Sequence, residues 1–142
     1  MVNCVNEDSC VFCRIVRKQA FASCVYEDEK VMAFLDMKPL NEGHMRVIPK
    51  EHYENIFDVP QELNAYLHGV TKQVAIAVKK AMGADGITII QQNGKAANQD
   101  IPHLHVHIIP RYKGQKMPSF SETVEANKEQ LNQTATKIQK HL

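Results

Sequence analysis

Net charge is nearly absent from this chain. Lys and Arg number 17 against 16 Asp and Glu, which leaves +1. A surface that holds nucleic acid or an anionic membrane needs an excess of one sign, so neither partner is expected. An anionic ligand must then be met by a local cluster, not by the overall field. Long apolar runs are missing too. None approaches the ~20 residues of a membrane helix. The first residues show no basic segment followed by an apolar stretch, so no secretory leader is expected. Cysteine is scarce, at four residues. With a cytoplasmic location as the default, a disulfide framework is not expected and the thiols need another reading. Repeats and low-complexity segments are absent. What is present is ordinary: 142 residues, 44% hydrophobic and 23% charged, fit one globular domain with its own core.

Residues 1–9 are polar and are expected to be loose. Cys10-Val11-Phe12-Cys13-Arg14-Ile15-Val16-Arg17 suits a short helix. Ala22 to Tyr26 and Val31 to Leu35 read as strands joined by the charged turn Glu27-Asp28-Glu29-Lys30, a hairpin. Pro39, Asn41 and Gly43 mark a loop, and His44 to Ile48 is a third strand closed by Pro49. Asp58, Pro60 and Gln61 look like a helix start, with Asp58 as cap and Gln61 at the capping-box position. Leu63, Tyr66, Leu67, Val70, Val74, Ala77, Val78 and Ala81 then form one apolar stripe over about five turns, and Gly83 stops it. His68 lies off that stripe and reads as solvated. Gly86 to Gln91 is a strand, and Gln92 to Asp100 a polar loop. A last strand starts at His103 and ends at Pro110. Ser119 and Glu122 suit the cap of a final helix with the stripe Leu131, Ala135, Ile138 and Leu142, where His141 favours the negative helix end. Most connections are too short for parallel crossovers. The expected class is α+β: about five antiparallel strands with one long helix, a short N-terminal helix and a C-terminal helix.

The chemistry concentrates in His103-Leu104-His105-Val106-His107. On a strand these three histidines share one face, roughly 6.5 Å apart, with Leu104, Val106 and Ile108 on the other. A lone histidine usually reads as structural; three on one face do not. Imidazole binds metals, attacks as a nucleophile and moves protons near neutral pH. His105 sits between the other two. With one ring nitrogen held protonated by a carbonyl, its other nitrogen can attack phosphorus, giving a phosphoramidate that water cleaves. His107 can bond the phosphate or hand a proton to the leaving group. A second metal site is the competing reading of this pair.

Cys10 and Cys13 have the spacing of a metal-binding turn. A redox pair or two buried thiols are the alternatives. His52 and one strand histidine, best His103, complete a two-thiolate, two-imidazole set for structural zinc. Such a closed site leaves no position for a catalytic water. Cys4 and Cys24 lack this spacing and read as incidental. In the loop Gln92-Asn93-Gly94-Lys95-Ala96-Ala97-Asn98-Gln99-Asp100, amides and backbone N–H groups offer a cradle for phosphate, and Gly94 allows close approach.

The His-X-His-X-His run with apolar X resembles the signature of the histidine triad (HIT) superfamily. The resemblance covers nearly the whole chain: the Cys10–Cys13 turn, the strand ending in Asp36, Gly43-His44 before Val47-Ile48-Pro49-Lys50, Asn93-Gly94, Gln99 and the triad. The branch it most resembles is the zinc-bearing bacterial Hint type. That implies one HIT domain over 1–142, with 119–142 as a C-terminal helical extension. It implies a homodimer that binds a purine nucleotide or nucleotide conjugate and uses no organic cofactor. The implied activity is hydrolysis at the α-phosphate, releasing a nucleoside monophosphate. The middle histidine, His105, is implied as nucleophile, His107 as the phosphate and leaving-group contact, and His44 as support for the network. Asp36 corresponds to the holder of the ribose hydroxyls. Phe12, Ile15, Phe34, Leu35 and Met37 correspond to the base sandwich, though by pattern alone they read as core. Gln92, Asn93, Gln99 and Asp100 correspond to the phosphate side. Cys10, Cys13, His52 and His103 match the zinc ligands.

Three features depart from the family pattern. Asn98 stands where Gly is usual; Asn tolerates a left-handed backbone. Asp100 stands where Ser or Thr is usual, and a carboxylate repels phosphate, so its backbone N–H is the safe contact. The chain has no Trp, so the selectivity of the tryptophan-tailed animal Hint proteins does not transfer. His107 favours hydrolysis over transfer, since transferases of the superfamily usually carry Gln there. The alternatives are a dinucleoside polyphosphate hydrolase of the Fhit type, a nucleotide-binding or scaffolding protein with incidental turnover, and a zinc protein with redox thiols.

Overall fold

The computed structural model describes residues 9–117 and 119–142. The expected loose N-terminus and Cys4 fall on residues 1–9, and 1–8 lie outside the described residues. The described residues form α1 (Val11–Val16), β1 (Cys24–Glu27), β2 (Val31–Leu35), β3 (Met45–Pro49), α2 (Gln61–Met82), β4 (Gly86–Gln91), β5 (Val106–Arg111) and α3 (Lys128–Gln139). The strands make one sheet in the order β1-β2-β3-β5-β4, each neighbour antiparallel. This is the expected α+β arrangement.

Strand alternation decides what each face carries. Val31, Ala33, Leu35, Met45, Val47, Val106 and Ile108 join the main core against α2 and α3. Met32, Phe34 and Ile48 pack on the other face with Phe12, Cys13 and Ile15 of α1. The sheet is therefore covered on both sides, and β2 is buried along its whole length. The α2 stripe buries Leu67, Val70, Thr71, Val74, Ala77 and Val78. Each large apolar side chain so buried contributes about 1.5–3 kcal/mol. Gly83 ends α2 in the left-handed conformation, φ 61°.

Several expected details differ. Asp58 does not cap α2; Pro60 holds that position without a side-chain bond. Asp58 instead accepts from the backbone N–H groups of Glu54 and Asn55, and so closes the preceding turn. Ser119 and Glu122 form a capping box, but on a single turn, Phe120–Glu122. α3 starts later, capped by Asn127. Leu131, Ala135 and Ile138 are buried, while Leu142 is half exposed. Pro110 does not end its strand. It pairs with Ile87 of β4, while β3 reaches only as far as Ile108. Beyond Ile108, β5 has a neighbour on one side, and a proline is tolerated there.

Candidate active site and metal centre

β5 begins at Val106, not at His103. The expectation of three histidines on one regular strand is thus corrected: only His107 lies in the ladder. His103 N–H bonds to Ile101 O at 2.8 Å, and Leu104 N–H bonds to Tyr53 O at 2.7 Å. These bonds, one local and one to the segment after β3, take the chain out of the sheet just before β5. The three rings nevertheless stay on one side. Phe12 meets His103 and His105 edge-on at 5.6 and 5.3 Å, and His105 stands 5.0 Å from His107. Leu104 joins Val106 and Ile108 in the opposite core, as the alternation requires.

Cys10, Cys13, His52 and His103 converge, with their ligand atoms all within 4.8 Å of one another. Cys10 Sγ is 3.3 Å from His103 Nδ1, and Cys13 Sγ is 3.2 Å from His52 Nδ1 and 3.6 Å from His103 Nδ1. Ligands bound to zinc at about 2.0–2.3 Å with tetrahedral angles stand roughly 3.3–3.8 Å apart. The spacing fits. The protonation also fits: His103 Nε2 donates to Pro49 O at 2.9 Å, which leaves Nδ1 as the ligand atom. The N-terminal turn of α1 makes this possible, because Cys10 is its cap and Cys13 lies one turn on.

His105 Nδ1 lies 2.7 Å from His103 O. A carbonyl only accepts, so Nδ1 carries the proton and Nε2 holds the lone pair. Nε2 is buried and has no hydrogen-bond partner. Asp100 Oδ1 stands 3.3 Å from it, outside hydrogen-bond geometry. A second chain of bonds fixes His107. Leu40 N–H donates to His44 Nδ1 at 3.0 Å, and His44 Nε2 lies 2.9 Å from His107 Nδ1. Burial pushes His44 down to about 4 and His107 to about 3, so both are neutral near pH 7. His44 therefore carries its proton on Nε2 and donates it to His107 Nδ1, which places the His107 proton on Nε2. His44 owes its position to Gly43, whose φ of +97° turns the chain into β3.

Asp36 follows β2 and is buried. Its Oδ1 accepts from Lys38 N–H at 2.8 Å, and its Oδ2 from Arg46 Nε at 2.7 Å. Its carboxyl is held below the ordinary value: burial opposes this, but Arg46, His44 and the Lys38 N–H outweigh it. Phe12, Ile15, Phe34, Leu35 and Met37 line a cavity of about 200 Å³ beside Asp36. Asn98 adopts φ 69°, the left-handed conformation expected of it. Gln99 is occupied inside the loop: Oε1 accepts from Gly94 N–H at 2.7 Å, and Nε2 donates to Glu54 O and Ile101 O. Asn93 Oδ1 accepts from Ile56 N–H and Gln91 Nε2. The side chains of Gln99 and Asn93 thus brace the loop, and Gln92 follows directly on β4. Asp100 turns its carboxylate toward His105 and Arg46. Arg46 escaped the sequence reading, although it shares strand parity with His44 and pairs across the sheet with His107.

The HIT domain family profile matches residues 17–114. The chain belongs to the HIT family. A HIT-like protein of Methanocaldococcus jannaschii is 47% identical over 106 residues, covering 74% of this chain and 81% of that protein. An Arabidopsis thaliana protein named an adenylylsulfatase is 38% identical over 105 residues, covering 74% of this chain and 53% of that one. Among solved structures, a Bartonella henselae HIT-like protein with an unknown ligand superposes with a TM-score of 0.88 at 37% identity, covering 95% of this chain and 98% of that one. A zinc-bound HIT protein of Mycobacterium smegmatis gives 0.84 at 34%, covering 96% and 94%.

Proposed function

We propose that this protein is a nucleotide hydrolase acting at the α-phosphate, with nucleoside phosphoramidates as its substrate class. The observation that carries the reading is His105: Nδ1–H tied to the His103 carbonyl, Nε2 buried without a hydrogen-bond partner. In this reading Nε2 attacks phosphorus, the bond from phosphorus to the amine breaks, and the departing amine takes a proton relayed from solvent through His107. The His103 carbonyl then steadies the positive charge that develops on the His105 ring. Water attacks the His105–phosphorus bond, frees the nucleoside monophosphate and returns His105 to its starting tautomer. His107 Nε2–H faces a phosphate oxygen, and His44 keeps it in that tautomer.

Asp36 would hold the ribose hydroxyls, and Phe12, Ile15, Phe34, Leu35 and Met37 would enclose the purine. Gln92, Asn93, Gln99 and Asp100 belong to the loop on the phosphate side, where the Asp100 backbone N–H is the group suited to an anion. Zinc would sit on Cys10, Cys13, His52 and His103 as a structural ion, and supplies no chemistry to the reaction. Its part is to hold the His103 carbonyl in place. A reducing compartment, the cytoplasm, keeps these thiols ready for metal; no described helix is long and apolar enough to cross a membrane. The whole chain 1–142 acts as one HIT domain, with 119–142 its C-terminal helical extension. A second copy would join at β4 and α2. The similarity to an adenylylsulfatase supports hydrolysis of a bond to an adenylyl group.

The test is release of mononucleotide from adenosine and guanosine 5′-phosphoramidates. Wild-type protein should release it, and His105→Ala should lose at least about 10³-fold in rate. If neither protein releases mononucleotide although nucleotide binds, the phosphoramidase reading fails, and dinucleoside polyphosphates become the next substrates to assay.

A further inference from the structure

The nucleotide site contains a charge arrangement that the proposed reaction does not explain. Asp100 Oδ1 lies 3.3 Å from His105 Nε2, the atom to which an anionic phosphate must come. Asp36, also ionised, sits on the ribose side of the same site. Two carboxylates around an anion-binding atom oppose binding. Between them stands Arg46. Its side chain is 12% exposed, its Nε bonds Asp36 Oδ2 at 2.7 Å, and its Nη2 reaches Asp100 Oδ2 at 3.4 Å. Its guanidinium carbon lies 5.3 Å from the centre of the Phe12 ring, itself in edge contact with His105. Its Nη1 is buried without a hydrogen-bond partner. Arg46 also lines the cavity with Phe12, Phe34 and Asp36.

Charge counting gives the consequence. With His44 and His107 neutral, Asp36, Asp100 and Arg46 sum to −1. Without Arg46 the sum is −2, in a site that must admit a phosphate. A buried donor without an acceptor is costly, so a ligand oxygen that meets Nη1 is favoured. A planar guanidinium spreads five N–H donors over three nitrogens, so it can bridge two separate carboxylates and still present an N–H to a third acceptor, whereas an ammonium offers its three donors from one point.

Building on the phosphoramidase reading above, we propose that Arg46 is a specificity-determining positioning residue: it neutralises Asp36 and Asp100 and makes the site selective for nucleotides over uncharged nucleosides. It does not take part in bond making. Its work is to let an α-phosphate settle beside His105 despite Asp100.

The experiment is a double-mutant cycle on the full-length zinc-loaded protein, with Arg46→Met, Asp100→Asn and the pair. Adenosine 5′-phosphoramidate turnover gives KM and kcat, and calorimetry gives binding of AMP and adenosine. Arg46→Met should raise KM and weaken AMP about tenfold or more. Adenosine binding should change far less, and kcat less than KM. In the Asp100→Asn background the same substitution should cost less than about threefold. Arg46→Lys, which keeps the charge but not the fork, should fall between. Equal losses for AMP and adenosine, or no relief in the Asp100→Asn background, would overturn the proposal and leave Arg46 a structural residue. If Arg46→Met fails to fold, Arg46→Gln, which removes the charge but keeps a hydrogen-bonding side chain, carries the same comparison. If wild-type protein neither turns over the phosphoramidate nor binds AMP, it is the hydrolase reading that fails. Turnover by wild type with an unchanged KM in Arg46→Met refutes the role of Arg46 alone.

Discussion

At the scale of single residues, the site is governed by where protons sit. Burial drives His44 to about 4 and His107 to about 3, from an ordinary value of 6.5. In the unfolded chain both rings take a proton near pH 6.5; in the folded chain they resist until far lower. Their contribution to stability is complete above about pH 6.5 and is lost as the pH falls toward and through the folded values. Melting temperature should therefore drop on going from about pH 7 to about pH 5. His107→Gln should flatten that drop, measured at matched zinc content. A steeper fall in the variant would contradict the neutral assignment. The family resemblance, not strand parity, made His44 legible as a support for the histidine network. Arg46 has the same parity but was passed over, because an arginine amid apolar strand residues has no chemical pattern around it until Asp36 and Asp100 are seen beside it. The tautomers were not legible either. They depend on the Leu40 N–H and the His103 carbonyl, backbone groups that no side-chain pattern reports.

At the scale of elements, two devices aim the histidines. The first is the turn before β3. A Cβ on Gly43 would meet Met82 Cγ and Sδ at 2.8 Å, at a φ of +97°. Gly43→Ala should cost about 1–3 kcal/mol in chemical denaturation. It should also slow turnover more than a matched surface substitution, since His44 follows directly. The second device is the Cys10–Cys13 turn of α1. It reaches the bend that takes His103 out of the sheet, and the same bend presents the carbonyl that orients His105. Chelation of the proposed zinc should lower melting temperature and turnover together, and zinc but not magnesium should restore both. Loss of stability with full activity would separate the metal from the site. The helices were legible because α2 repeats its apolar residues at threes and fours and Gly83 closes it. The start of β5 was not, since alternation continues through His103 and His105 while the backbone bonds to Ile101 and Tyr53. Asp58 likewise looked like a cap, but its oxygens were claimed by the nearer Glu54 and Asn55 amides.

At the scale of the whole molecule, β4 is an edge strand with Ile89 46% exposed, beside Ile76 of α2 at 45%. With Ile87, Ala75 and Thr71 these residues line one shallow apolar hollow. An unpaired edge beside an apolar face invites a second strand. The proposed homodimer uses this face. Sedimentation should give twice the chain mass for the wild type, and Ile89→Lys should shift it toward one chain. A wild type that sediments as one chain at micromolar concentration would remove the dimer.

The position of β5 has a consequence for how the protein is made. β1, β2 and β3 leave the ribosome in order and can pair as they appear. The strand that belongs beside β3 comes only after α2 and β4, some sixty residues further on. At about 5–20 residues per second, a nascent chain waits several seconds with that edge open. Because β5 carries His107, a chain cut short before it lacks both the complete sheet and the complete candidate site. One strand thus completes both the sheet and the candidate site, before α3 has been made.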